Sequence, residues 1–155
     1  MDRDELIYKT IQLALENVKC GGGPFGALVV KGDEIIATGA NRVTSSLDPT
    51  AHAEVVAIRK ACQILGNFEL TGCDIYCSCE PCPMCMGAIY WARPAQIFFA
   101  ATASAAADAG FDDSLIKTQI CLPYAQQQMP IAQIVHKESL LPFQAWKAKA
   151  DKIVY

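Results

Sequence analysis

His52 stands thirty residues before Cys82 and three more before Cys85, yet a shared chemistry requires the fold to bring them together. The two segments are His52-Ala53-Glu54 and Pro81-Cys82-Pro83-Met84-Cys85. Together they offer one imidazole, two thiols and one carboxylate. Three protein ligands with a fourth position open is the pattern of a catalytic zinc site, whereas structural sites close all four positions. Cys82 and Cys85 are three positions apart, so on a helix both sulfurs share one face. Pro83 suits the first turn of that helix, and a helix N-terminus favours the thiolates that zinc binds. His52 and Glu54 are predicted in the first turn of a second helix, opened by Asp48-Pro49 as cap and first-turn proline. Two helix N-termini must therefore meet at one edge of a sheet.

Glu54 carries further information. Ile58, Ala61, Cys62 and Leu65 follow it at i+4, i+7, i+8 and i+11, which is the core-facing stripe of that helix. A carboxylate on an apolar stripe is costly unless its chemistry is used. Glu54 is accordingly the expected proton carrier, and the expected cofactor is one zinc per subunit. A Cys-x-x-Cys pair alone is commonly a structural knuckle or a redox pair. The His-x-Glu segment with helix signals at both places removes that ambiguity. Cys73, Cys77 and Cys79 share one face of a predicted strand and read as small buried packing residues rather than ligands.

Residues 4–19 read as an amphipathic helix with Ile7, Ile11, Leu15 and Val18 at helical spacing. Gly21-Gly22-Gly23-Pro24 stops it. The Gly21, Gly23, Gly26 pattern follows a helix and opens a strand, so it is a tight turn rather than a nucleotide loop. Lys31-Gly32-Asp33 separates two apolar runs as a hairpin signal. Strands over 74–79 and 96–100 with a helix between them form a βαβ unit and should lie parallel. Ala100 to Ala109 reads as helical, 142–151 as a final helix, and 119–134 shows no period. The expected fold is α/β, a three-layer α/β/α sandwich with a central mixed β-sheet, in one domain over 1–155.

With 155 residues the chain can bury one sizeable core. Eight cysteines without a leader-like N-terminus suggest reduced thiols and a cytoplasmic setting. No apolar run reaches the ~18 residues of a membrane span. The net charge of −3, with no basic run, disfavours a nucleic-acid partner. Apolar residues make up 52%, a surplus that an oligomer interface would bury.

These residues resemble the cytidine-deaminase-like superfamily. The shared segments are Gly22-Gly23-Pro24-Phe25-Gly26-Ala27, 48–55 around His52-Ala53-Glu54, and 78–85 ending at Cys85. Three further segments resemble the bacterial guanine deaminases within it: 87–94 including Trp91, 109–114 including Asp113, and 142–146 with a terminal Tyr155. Gln119 to Ile134 departs from that pattern. The resemblance implies zinc on His52, Cys82 and Cys85, with Glu54 as proton shuttle. It implies Asn41 hydrogen-bonded to a purine, Phe25 and Trp91 near its faces, and Asp113 reading the ring edge and moving a second proton. Backbone amides near Ala53 and Cys82 would help hold the tetrahedral intermediate, and Tyr155 would close the site. The family exchanges its C-terminal segment, here about 140–155, so a homodimer is implied. The expected reaction is deamination of guanine to xanthine and ammonia. Rival readings are a nucleoside or other heterocycle deaminase, a tRNA adenosine deaminase, and a non-enzymatic zinc module.

Overall fold

Gly32 takes a left-handed φ of 59° at the tip of the hairpin, and the two apolar runs beside it pair antiparallel. These are β1 (Gly26–Lys31) and β2 (Glu34–Ala40). β3 (Cys73–Cys79) pairs antiparallel with the other side of β1, and β4 (Gln96–Ala101) pairs parallel with β3. The crossover between β3 and β4 is the helix α4 (Pro83–Ala92), as a parallel pair requires. The other helices are α1 (Arg3–Lys19), α2 (Val43–Ser46), α3 (Ala53–Leu65), α5 (Ala103–Asp108), α6 (Ser114–Ile120) and α7 (Leu141–Ala148). The computed structural model describes Met1–Tyr155 and divides into two units, Met1–Leu115 and Ile116–Tyr155.

The sheet order β2-β1-β3-β4 gives the expected mixed sheet between two helix layers. Side chains alternate faces along each strand. Val29, Ile75 and Cys77 enter one core with Ala57 and Ala61 of α3 and Ile89 of α4. Leu28, Val30 and Tyr76 enter the other with Leu6 of α1. Cys73 and Cys77 are packing residues, 0% and 1% exposed.

Four expectations are corrected. The buried face of α1 is Leu6, Thr10, Ala14 and Asn17, while Ile11, Leu15 and Val18 are exposed. The reason is close approach: a Cβ on Gly26 would stand 2.4 Å from the Thr10 carbonyl oxygen, so small residues must face the sheet. Ile11, Leu15 and Val18 instead line an apolar cavity of about 400 Å³ with Phe25 and Phe111. Asp48 and Pro49 do not open α3, whose N-cap is His52. The Asp48 carboxylate accepts from the Thr50 backbone N–H (2.8 Å) and from its hydroxyl (2.7 Å), closing a turn of its own. Finally, Ala100 and Ala101 belong to β4, so α5 spans six residues, and α7 ends at Ala148.

The unit Ile116–Tyr155 holds the end of α6, a 3₁₀ turn over Tyr124–Gln126, and α7. Leu141 and Phe143 of α7 are exposed, as are Ile153, Val154 and Tyr155 after it.

Candidate active site

Two extended N-cap residues build this site. His52 (φ −67°, ψ 158°) caps α3 and Cys82 (φ −67°, ψ 168°) caps α4. Both helices pack on the same face of the sheet, so their N-termini converge. His52 is set by hydrogen bonds on the loop before it: its N–H donates to Thr50 (2.8 Å), and Arg42 N–H donates to Ala51 (2.8 Å). α3 also sits directly on β2. A Cβ on Gly39 would lie 2.1 Å from the Ala53 carbonyl oxygen and 2.6 Å from the Ala57 nitrogen. Only glycine permits that approach, and it fixes the depth at which His52, Ala53 and Glu54 stand.

His52 Nδ1 lies 3.5 Å from Cys82 Sγ and 3.4 Å from Cys85 Sγ. The three ligand atoms all fall within 4.8 Å of one another. Tetrahedral zinc with its usual bond lengths separates nitrogen from sulfur by about 3.6 Å. The donor set therefore fits zinc in both identity and spacing, with Nδ1 as the ligand nitrogen. Cys79 stays outside the cluster, its thiol directed to the Thr102 carbonyl oxygen at 3.6 Å.

The electrostatics favour a thiolate at Cys82. The Cys82 pKa is lowered to about 4, first by the hydrogen bond from Cys85 and, after the opposing cost of burial, by His52. The same bond, with burial, pushes the Cys85 thiol up. His52 is raised, chiefly by Cys82. Glu54 is 8% exposed, and burial holds its carboxyl above the usual range. The Cys82 charge pushes the same way and His52 against it.

Asn41 is buried at the end of β2, one residue before Arg42, whose N–H donates to the Ala51 carbonyl oxygen. Its Oδ1 accepts from Val43 N–H (3.2 Å), which fixes the amide and leaves Nδ2 as its donor end. The Asn41 N–H donates to the Phe25 carbonyl oxygen at 3.2 Å. Phe25 packs edge-on against Phe111, with ring centroids 5.0 Å apart. Asp113 is half-buried; burial pushes the Cys79 thiol up, with the Glu54 charge and, last, the Asp113 charge adding to the shift. Ala53, 1% exposed, is the first residue of α3. Trp91 lies in the last turn of α4, about 13 Å of helix rise beyond Cys82, and is 66% exposed. Tyr155 belongs to the unit Ile116–Tyr155, where its ring packs edge-on against Trp146.

Sequence reasoning missed Gly39, Ser78 and Asn17. A glycine inside a strand was the available signal for Gly39. The Ser78 hydroxyl accepts the Gly26 N–H at 3.0 Å, one residue beyond the β1–β3 pairing, and secures the start of β1.

Comparison with known proteins places this geometry. Residues 1–101 match the cytidine and deoxycytidylate deaminase zinc-binding region. The guanine deaminase of Bacillus subtilis (strain 168) is 53% identical over 156 residues, covering 100% of both chains. The X-ray structure of guanine deaminase from Bacillus subtilis aligns with a TM-score of 0.98 at 53% identity over 100% of this chain and 99% of that one. The tRNA-specific adenosine deaminase of Aquifex aeolicus is 38% identical over 101 residues, 65% of this chain and 67% of that one. Zinc-region motifs, sheet topology and full-length similarity agree: this chain belongs to the guanine deaminase family and carries the cytidine and deoxycytidylate deaminase zinc-binding region.

Proposed function

We propose that this chain deaminates guanine hydrolytically to xanthine and ammonia. The observation that carries the reading is the reach of the similarity. The tRNA-specific adenosine deaminase of Aquifex aeolicus matches over 101 residues, whereas the guanine deaminase of Bacillus subtilis matches to the end of the chain. The net charge of −3 also gives a polyanionic RNA little to bind.

His52, Cys82 and Cys85 would hold one zinc per subunit. When bound there, zinc supplies an acidified water, with a pKa brought from ~15.7 to near 7. Glu54 accepts the proton of the attacking water and returns protons to the ring nitrogen and the departing amine. One C–O bond forms at the amino-bearing carbon, one C–N bond breaks, and ammonia leaves. The first backbone amides of α3 and α4, near Ala53 and Cys82, would help hold the negative charge that develops in the tetrahedral intermediate. Asn41 donates to the purine edge, Phe25 and Trp91 flank its faces, and Asp113 reads the ring and assists the second proton transfer. Tyr155, in the exchanged C-terminal segment, would close the pocket of the second copy.

Ammonia release should be far faster from free guanine than from guanosine, adenine, cytosine or a tRNA hairpin. A site with buried polar groups rejects a ligand that leaves them unpaired by up to ~10⁴–10⁵. Guanosine turnover equal to that of guanine would refute the assignment to the free base.

The working form is a homodimer in which about 140–155 is exchanged between subunits. Leu140, Phe143, Ile153, Val154 and Tyr155 are each over 60% exposed, apolar area that a second copy would cover. No helix is long and apolar enough to cross a membrane, and the cytoplasm is the setting that fits the eight free thiols. Light scattering at micromolar concentration should report twice the 16.8 kDa chain mass. A monomer there would exclude the exchange.

A further inference from the structure

We propose that Asn17, on the buried face of α1, is a positioning residue for guanine recognition, acting through Asn41. The proposal rests on the reading of Asn41 as a substrate contact. Asn17 is 6% exposed, in the last turn of a helix that carries no other part of the site. An asparagine there is a poor core residue unless its amide is used.

Its partners show the use. The Asn17 Nδ2 group donates to the Gly23 carbonyl oxygen at 2.8 Å and to the Asn41 carbonyl oxygen at 2.9 Å. The Asn17 backbone carbonyl accepts the Gly22 N–H at 2.8 Å. One residue thus ties the glycine turn to the end of β2. The space around the turn is shaped to match. A Cβ on Gly22 would stand 2.4 Å from Asn17 Nδ2, and one on Gly23 would stand 3.1 Å from Asn41 Cγ. Gly23 therefore lies against the Asn41 amide, and Asn17 holds the two backbones together on either side of that contact.

The same clamp continues to Phe25. Its N–H donates to the Gly23 carbonyl oxygen at 2.9 Å, and its own carbonyl accepts from Asn41 N–H. The Asn41 side chain thus has its Oδ1 committed to Val43 and lies so close to Gly23 that a Cβ there would stand 3.1 Å from its Cγ. Two directed hydrogen bonds from one amide fix the backbone beneath it. Without them, the donor that faces the purine is free to shift, and a displacement of about 1 Å in a positioning group can cost ~10²-fold. His52, Cys82 and Cys85 hang from other elements, so the metal ligands should not feel the change.

Asn17→Ala should raise KM for guanine roughly 10- to 100-fold, with kcat changed less and zinc content unchanged. Gly22→Ala provides a second route, since its Cβ displaces the Asn17 amide without removing it. Gly22 has no left-handed φ, so the backbone accepts alanine. KM should rise in the same direction, and this variant decides the matter if Asn17→Ala fails to fold. In an Asn41→Ala background, Asn17→Ala should add no further increase in KM. A purely structural role predicts a lower melting temperature with guanine KM within twofold of wild type in both variants, which would overturn the proposal. Independent, multiplicative effects of Asn17→Ala and Asn41→Ala would overturn it too. If Asn41→Ala itself leaves KM unchanged, the reading of Asn41 as a substrate contact fails instead.

Discussion

Glu54→Gln should bind zinc as the wild type does and release ammonia from guanine at least ~10²–10⁴-fold more slowly, the range set by general acid–base transfer alone. The amide keeps the volume and shape of the carboxyl, so the packing of α3 on the sheet survives. What is lost is the ability to accept a proton and give it back. The carboxyl is well placed for both. It sits in the first turn of α3, 8% exposed, two residues from His52. Burial pushes its pKa up while His52 opposes the shift, and a group held between such pressures can change protonation during one turnover. Elemental analysis separates the two halves of the prediction. A variant that keeps zinc and stays within a few-fold of wild-type turnover would remove Glu54 from the mechanism.

The metal site was legible in sequence because its information is local. The cysteine spacing, Pro83 and the His-x-Glu pair each specify a helix start, and two helix starts on one sheet face have few ways to meet. The central sheet was legible for a similar reason, since β3, α4 and β4 follow one another in short, strongly patterned segments. The orientation of α1 was not. Periodicity identified an apolar stripe, but which stripe is buried depends on how closely the helix approaches, and Gly26 sets that from another element. Thr10 and Asn17 look polar in sequence and are buried because the sheet accepts small or hydrogen-bonded groups there. Asp48 was misread because an Asx turn and an N-cap share the same residue types. Residues 119–134 gave no signal, and the structure forms only a short 3₁₀ turn between α6 and α7. The substrate contacts came from resemblance. Asn41 follows β2 and is buried, whereas Trp91 sits at the far end of α4 and Tyr155 in the C-terminal unit.

Cys82→Ala should leave the chain folded, without stoichiometric zinc and without detectable deamination. Two thirds of a three-ligand set cannot hold the ion in a catalytic geometry that already leaves one position open. The fold should survive because its cores close without the metal. Ala57 and Ala61 of α3 and Ile89 of α4 pack against Val29 and Ile75, all fully or nearly fully buried. Bound metal adds stability only by linkage, ~2.7 kcal/mol when its concentration is 100 times Kd. A lower but still cooperative melting transition is therefore expected, not collapse. Cys79→Ala is the matched control. Its thiol faces the Thr102 carbonyl oxygen and lies outside the ligand cluster, so zinc content should remain near one per chain and turnover within a few-fold of wild type. If Cys79→Ala instead released the metal, four protein ligands would close the site and no position would remain for water. Loss of zinc from Cys82→Ala with full retention by Cys79→Ala is the pair of results that an open, catalytic site requires.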